Sequence, residues 1–173
     1  MAFRDIPSRL RVTGLFWLVE LVVAIGGVGF GAMVLSQDAI FGTFVLATAG
    51  FLMATSFAFL SDIRFRLSSS EPTIEVSEAG FLDRRLTREP IPWDQILAIP
   101  YYWYRQRSLA VILKEDSTTV VDPIFALKFQ EWLGKLLNMP GYPVIIAGNE
   151  GTVDSIEAAI RRHAPQLVRP PQQ

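Results

Sequence analysis

Glu20 is the first residue to consider as a chemical group. It is the one charged side chain between Val12 and Leu35, a run otherwise made of apolar and small residues. A carboxyl group inside a hydrocarbon layer costs several kcal/mol, so it needs a partner, an ion path or a proton. A proton relay would need a second acid at similar depth, and neither this run nor the next, Ala39–Leu60, supplies one. Thr55 and Ser56 in the second run are the polar groups level with Glu20 if the chain folds back on itself, which makes Glu20, Thr55 and Ser56 an intramembrane polar set. Five guanidinium groups bracket the two runs: Arg4, Arg9 and Arg11 before the first, Arg64 and Arg66 after the second. Such a collar suits anionic headgroups, each cation near them contributing about 1 kcal/mol. A second Arg group, Arg84, Arg85 and Arg88, interleaves with Asp83, Glu89 and Asp94 and reads as salt-bridged surface. The stretch Tyr101-Tyr102-Trp103-Tyr104 is unusually aromatic. On a strand its side chains alternate, so one pair is core and the other, Tyr102 and Tyr104, can join Arg105 and Arg107 as a partner surface.

The remaining reactive residue types are scarce. There is no Cys, which removes disulfides, thiolate ligands and thiol nucleophiles, and a single His, His163, which removes a multi-histidine metal site. Lys and Arg number 16 against 17 Asp and Glu, a net charge of −1, so the basic face of a nucleic-acid binder is missing. No cofactor, no metal and no catalytic residue is expected. An enzyme is the remotest of three readings, because no carboxylate or hydroxyl sits in a recognisable catalytic arrangement.

Two long elements must hold these groups in place. Each apolar run exceeds the roughly 20 residues that cross a bilayer as a helix. Ser36-Gln37-Asp38 between them allows only a tight turn, so the helices form an antiparallel hairpin. A cleaved leader would have an apolar core of about 7–15 residues and a small-residue cleavage site. The first run is longer, has no such site and is followed at once by another. Lys and Arg flank both outer ends and are missing from the connecting turn, which predicts both termini on the cytoplasmic side. Small residues recur at helical spacing, Gly27 and Gly31 in the first run, Ala47, Gly50, Ala54 and Ala58 in the second. Folding about Gln37 sets Gly27 beside Ala47 and Gly31 beside Thr43, where close backbone approach replaces the hydrophobic effect.

After Leu60 the pattern changes. Asp62–Pro72 reads as a linker ending in a Ser run. Thr73–Ser77 and Phe81–Leu86 alternate as strands around a Glu78-Ala79-Gly80 turn, and Leu97–Tyr104, Leu109–Lys114 and Thr118–Asp122 continue an antiparallel meander. Asp122-Pro123 starts a helix over Ile124–Asn138 whose Phe125, Phe129, Trp132, Leu133, Leu136 and Leu137 read as its core face. Trp93 and Trp132 are expected in the core. Val144–Ala147 is a further strand, Gly148–Gly151 a turn, and Thr152 caps a last helix ending at Arg161-Arg162-His163, where cations suit the helix dipole. The expected organisation is α+β: a hairpin over 1–61 with spans near 12–35 and 39–60, a linker over 62–72, a domain over 73–164 and a disordered tail over 165–173.

The stretch Ile74-Glu-Val-Ser-Glu-Ala-Gly-Phe81 followed by Ile91-Pro-Trp-Asp-Gln-Ile96 resembles the opening strands of bacterial pleckstrin-homology-like (PH-like) domains. Gly141-Tyr-Pro-Val-Ile-Ile146 with Val153-Asp-Ser-Ile-Glu157 resembles one subgroup of them. The resemblance covers nearly the whole chain and implies a two-span protein of the bacterial inner membrane with a cytoplasmic PH-like barrel. Six strands and an intervening helix depart from the seven strands of the standard fold. The loop that grips phosphoinositides in such domains is here Ser77-Glu78-Ala79-Gly80, which is acidic, so that activity does not carry over. The expected function is a membrane-anchored binding or scaffold module with a protein partner or a second copy of itself. An anionic-lipid-responsive module is the alternative.

Overall fold

The structure is a computed structural model that describes residues 1–104, 106–139, 141–144, 150 and 152–169; for 101–104, 106–108 and 169 it describes the backbone. Strand β1 (Ala2–Phe3) leads into helix α1 (Pro7–Leu35), which a turn joins to helix α2 (Ala39–Ser68). Then come β2 (Ile74–Ser77), β3 (Gly80–Asp83), β4 (Ile96–Tyr104), β5 (Gln106–Leu113), helix α3 (Phe125–Leu136), β6 (Tyr142–Val144), helix α4 (Val153–His163) and β7 (Val168–Arg169). The layout is α+β: two long apolar helices, then two small sheets and a C-terminal helix.

Helices α1 and α2 run 29 and 30 residues, and both are long and apolar enough to cross a membrane. At about 1.5 Å per residue each is roughly 44 Å long, well beyond a hydrocarbon core of about 30 Å. About one third of each helix therefore extends past a span. For α2 this part contains Asp62, Ile63 and Arg66, all buried. The expected linker is thus a correction: the helix continues to Ser68, because Asp62 and Arg66 point into protein and leave the helical pattern intact.

The hairpin packs along two heptad rows. Leu10, Ala24 and Gly31 of α1 and Gly42, Ala49, Ser56 and Ile63 of α2 are buried, at spacings of seven or fourteen residues, and a Cβ on Gly14 would meet Ile63 at 3.6 Å. Trp17 stacks on Phe59 with ring centroids 4.1 Å apart. A Cβ on Gly27 would sit 3.2 Å from that of Ala49, and one on Gly31 would meet Val45 and Leu46. At Gly42 the approach is closest: a Cβ would lie 2.5 Å from Leu35 Cα. Asp38 starts α2 by accepting hydrogen bonds from the Ile40 and Phe41 amides, both at 3.0 Å. The fold-back is therefore centred nearer Asp38 than Gln37. Gly27 lies opposite Ala49 instead of Ala47, while Ala47 and Gly50 are exposed and Ala54 is half-buried.

The first sheet has the order β1-β2-β3, all antiparallel, and the second β6-β5-β4-β7, with β7 parallel to β4. Phe3, Ile74, Val76, Phe81, Ile91, Ile99, Leu109, Val111, Leu127, Ile156 and Ile160 fill the space between the sheets and α4. Two-residue β1 and β7 carry no pattern readable in sequence; their partners recruit them. β1 adds the chain start to the domain through Ala2↔Glu75 and Phe3↔Ile74, and β7 pairs through Ile99↔Val168. The expected tail is a second correction, since Pro165–Leu167 makes a helical turn and Val168–Arg169 a strand. Thr118–Asp122 forms no strand, and Gln106–Ser108, expected in a turn, belongs to β5, where Gln106 pairs with Tyr104. Gly80 has φ +145° and would bring a Cβ to 2.0 Å from the Ile91 carbonyl oxygen, so this turn needs glycine.

Helix α3 gives the third correction. Its buried residues are Ala126 and Leu127, whereas Phe125, Trp132, Leu136 and Leu137 are exposed. Trp132 is not core. Trp93 is half-buried against the core, its Nε1–H donating to the Ser77 carbonyl at 3.0 Å.

Candidate functional site

The lower end of α2, the segment after β1 and the end of β3 bring five charged side chains into one buried cluster. Asp62 and Arg66 lie four apart on α2, so they share a helix face. Asp5 arrives from the β1–α1 connection, and Asp83 and Arg85 from the turn that ends β3. Arg85 is completely buried and forks onto Asp83, with Nε to Oδ1 at 2.9 Å and Nη2 to Oδ2 at 2.7 Å. Its Nη1 reaches Asp62 Oδ1 at 3.5 Å. Arg66 donates from Nε to Asp5 Oδ1 at 2.9 Å, adds a second contact from Nη2, and reaches Asp62 Oδ2 at 3.4 Å. The Thr73 hydroxyl donates to the other Asp5 oxygen.

Burial alone would make Arg85 easier to deprotonate. The charge and hydrogen bonds of Asp83, helped by Asp62 and Asp5, outweigh it and hold the guanidinium above its ordinary range. With three carboxylates and two guanidinium groups the cluster carries one excess negative charge, which the Thr73 hydroxyl and the Arg85 amide help to solvate. Chemically it is a static lock. Arginine does not give up its proton, and the carboxylates are occupied as acceptors. Among the described residues no group of three or more His, Cys, Asp or Glu could hold a metal ion. Around the lock, the Ile124 amide donates to the Arg85 carbonyl at 2.9 Å and Asp122 to that of Leu86 at 3.0 Å, which fixes the approach to α3.

Two cavities flank the lock. An open groove of about 780 Å³ lies between Phe65, Arg84, Arg88, Pro90, Thr119 and Val120. Arg84 is engaged there by Glu71 at 2.7 Å and Glu75 at 2.9 Å, while Arg88 stands exposed at the rim. A smaller cavity of about 430 Å³ opens between Arg4 and Arg11 on one side and Ser69, Ser70 and Glu71 on the other, with Arg66 among its walls.

The expected site residues fall into separate places. Arg4, Arg9, Arg11 and Arg64 are exposed as a collar requires, but Arg66 is buried in the lock. Arg85 is likewise interior, so only Arg84 and Arg88 of that trio lie at the surface. Glu20 is half-buried at the level of Ser56, yet no bond joins them: Ser56 Oγ is buried without a hydrogen-bond partner. Thr55 turns its hydroxyl back to the Phe51 and Leu52 carbonyls at 3.1 and 2.9 Å. Arg105 lies outside the described residues, as do the side chains of Tyr102, Tyr104 and Arg107. Residues 145–149 and Gly151, expected as the end of a strand and a turn, lie outside them too.

Sequence reasoning missed Asp5, Asp62 and Thr73, and it read Asp83 as part of a salt-bridged surface where the Asp83–Arg85 pair is buried. The i,i+4 spacing of Asp62 and Arg66 directly after an apolar run was the readable signal. Nothing local tied Arg66 to Asp5, 61 residues away. Compared with protein-family models, curated proteins and solved structures, the chain matches none.

Proposed function

We propose that this chain is a two-span bacterial inner-membrane protein whose PH-like cytoplasmic module is a rigidly mounted, non-catalytic docking scaffold. The buried five-residue lock carries this reading. A flexible tether would suffice to anchor a domain, whereas removing five charges from water is worthwhile where orientation must be fixed. The lock ties α2, the chain start and β3 together, so the groove beside Arg88 and Val120 keeps one height and one direction relative to the hairpin. A partner protein, or a second copy, docks there. The two small sheets closed by α4 support a PH-like module.

Photo-crosslinking tests it: p-benzoylphenylalanine replaces Arg88 or Val120 in the full chain, in native membranes. Light-dependent species of higher mass at these positions are the expected result. A chain that stays monomeric and partnerless at both positions contradicts the proposal.

The cavity beside Arg4 and Arg11 favours a second reading, in which the collar senses anionic lipid. The full chain in vesicles should then gain thermal stability with anionic lipid content, and Arg4→Gln with Arg11→Gln should abolish that gain. Indifference of the parent chain to lipid charge rejects this reading.

A further inference from the structure

Helix α3 carries an apolar stripe that the domain does not use. Phe125, Phe129, Trp132 and Leu136 follow one another at spacings of four, three and four, the repeat of one helix face. The domain buries Ala126 and Leu127 instead. Phe125, Trp132 and Leu136 are 48%, 56% and 70% exposed, far more than a core face would be. The stripe is continuous inside: Phe125 stacks with Phe129 at 6.3 Å and Phe129 meets Trp132 at 5.8 Å.

Its neighbour indicates what covers it. Phe125 packs edge-on against Phe57 of α2 at 5.7 Å, and Phe129 lies against Phe51 at 6.4 Å. Both partners lie in the uncharged run that ends at Leu60. At about 1.5 Å per residue, Phe57 stands some 4.5 Å and Phe51 some 13.5 Å above that end, within one leaflet of a bilayer. Phe44, Phe51 and Phe57 are themselves exposed on α2, so their apolar surface runs on without a break into the α3 stripe. Along one flank of the stripe α3 presents Lys128, Glu131 and Lys135, with Lys135 Nζ 2.9 Å from Glu131, while Ala126 and Leu127 take the side that faces the domain. This is the composition of a helix lying in a membrane boundary, aromatic and leucine side chains inward and lysines outward.

We propose that α3 is a membrane-inserted helix that runs alongside α2. Its Phe125–Phe129–Trp132–Leu136 stripe sits among the acyl chains of the leaflet nearest the domain, flush against α2. The inference rests on the two-span reading of α1 and α2. It makes the module a partly embedded one, seated on the membrane by a third contact in addition to the hairpin and the lock.

The chain has no cysteine, so single nitroxide labels can be placed on the full-length protein in phospholipid vesicles. Labels at Trp132→Cys and Leu136→Cys test the stripe, and a label at Lys128→Cys tests the polar side. Phe44→Cys reports the α2 span and Val120→Cys the water-facing domain surface. All five positions are exposed, so the substitutions leave the core intact. Collision with oxygen should exceed collision with a water-soluble nickel chelate at 132 and 136, as at 44, with the order reversed at 128 and 120. A lipid signature at 44 with a water signature at 132 and 136 overturns the proposal while sparing the spans. A water signature at 44 overturns both. Protection from oxygen and nickel alike at 132, with spin–spin broadening, places a second copy on the stripe and also overturns it.

Discussion

Replacing Arg85 by Met should cost this protein a large share of its stability. The Arg85 side chain is fully buried and supplies a two-point fork to Asp83, whose own side chain is 3% exposed. Without it, three buried or nearly buried carboxylates share one guanidinium, and Asp83 keeps only the residue 85 amide at 3.0 Å as a donor from this set. Stranding one member of a buried pair costs about 3–5 kcal/mol, against a total of about 5–15 kcal/mol for a typical fold. At roughly 2–4 °C per kcal/mol for a chain of this size, the midpoint should fall by roughly 6–20 °C. The assay is thermal unfolding in detergent micelles, followed by near-ultraviolet circular dichroism. The parent's Arg85 is held above the ordinary guanidinium range, so that contribution is complete at neutral and moderately alkaline pH and is lost only in strong alkali. It gives the parent no pH dependence between 5 and 9. Pairing Arg85→Met with Asp83→Leu should restore most of the loss, since an apolar pair of similar bulk removes the stranded charge. A single variant within 2 °C of the parent at neutral pH refutes the reasoning.

Three further outcomes follow from the same geometry. Gly42→Ala puts a methyl group 2.5 Å from Leu35 Cα and should destabilise the hairpin by about 1–3 kcal/mol, whereas Gly50→Ala meets nothing within 4 Å and should be neutral; unfolding titrations in mixed micelles separate them. Ser56→Ala removes a buried hydroxyl that has no partner and should raise stability by up to about 1 kcal/mol in the same assay; a loss of that size would mean the hydroxyl is bonded. Burial pushes the Tyr142 phenol above its ordinary value near 10, with the Glu131 carboxylate adding to the shift. Ultraviolet titration should show a late-ionising tyrosine that Tyr142→Phe removes, and stability linked to this group should hold below about pH 10 and decline as pH rises through the folded value.

The parts of the fold carried by long patterns were legible in the sequence. Two apolar runs around Ser36-Gln37-Asp38 announce the hairpin, and Thr152 announces α4, which begins with the reciprocal Thr152–Ser155 capping box. What failed were inferences that need the neighbour. Asp62-Ile-Arg-Phe-Arg reads as a polar linker because charge after an apolar run resembles an exit into water. Here the charges enter protein and the helix continues. The α3 stripe has the periodicity of a core face whichever apolar medium receives it, so periodicity alone cannot separate protein interior from lipid. The hairpin register was misjudged by about two residues, since the Asp38 cap sets where α2 begins. Within the lock the Asp62–Arg66 and Asp83–Arg85 pairs are local, but their joining to each other and to Asp5 was beyond local reading.

The whole account depends on a hairpin that crosses the membrane twice and returns the domain to its starting side. A membrane-impermeant maleimide applied to sealed, right-side-out vesicles bearing Gln37→Cys or Val120→Cys tests this directly. The account predicts labelling at 37 before lysis and at 120 only after it. Equal labelling of both positions in sealed vesicles, or release of the chain into buffer without detergent, would contradict it.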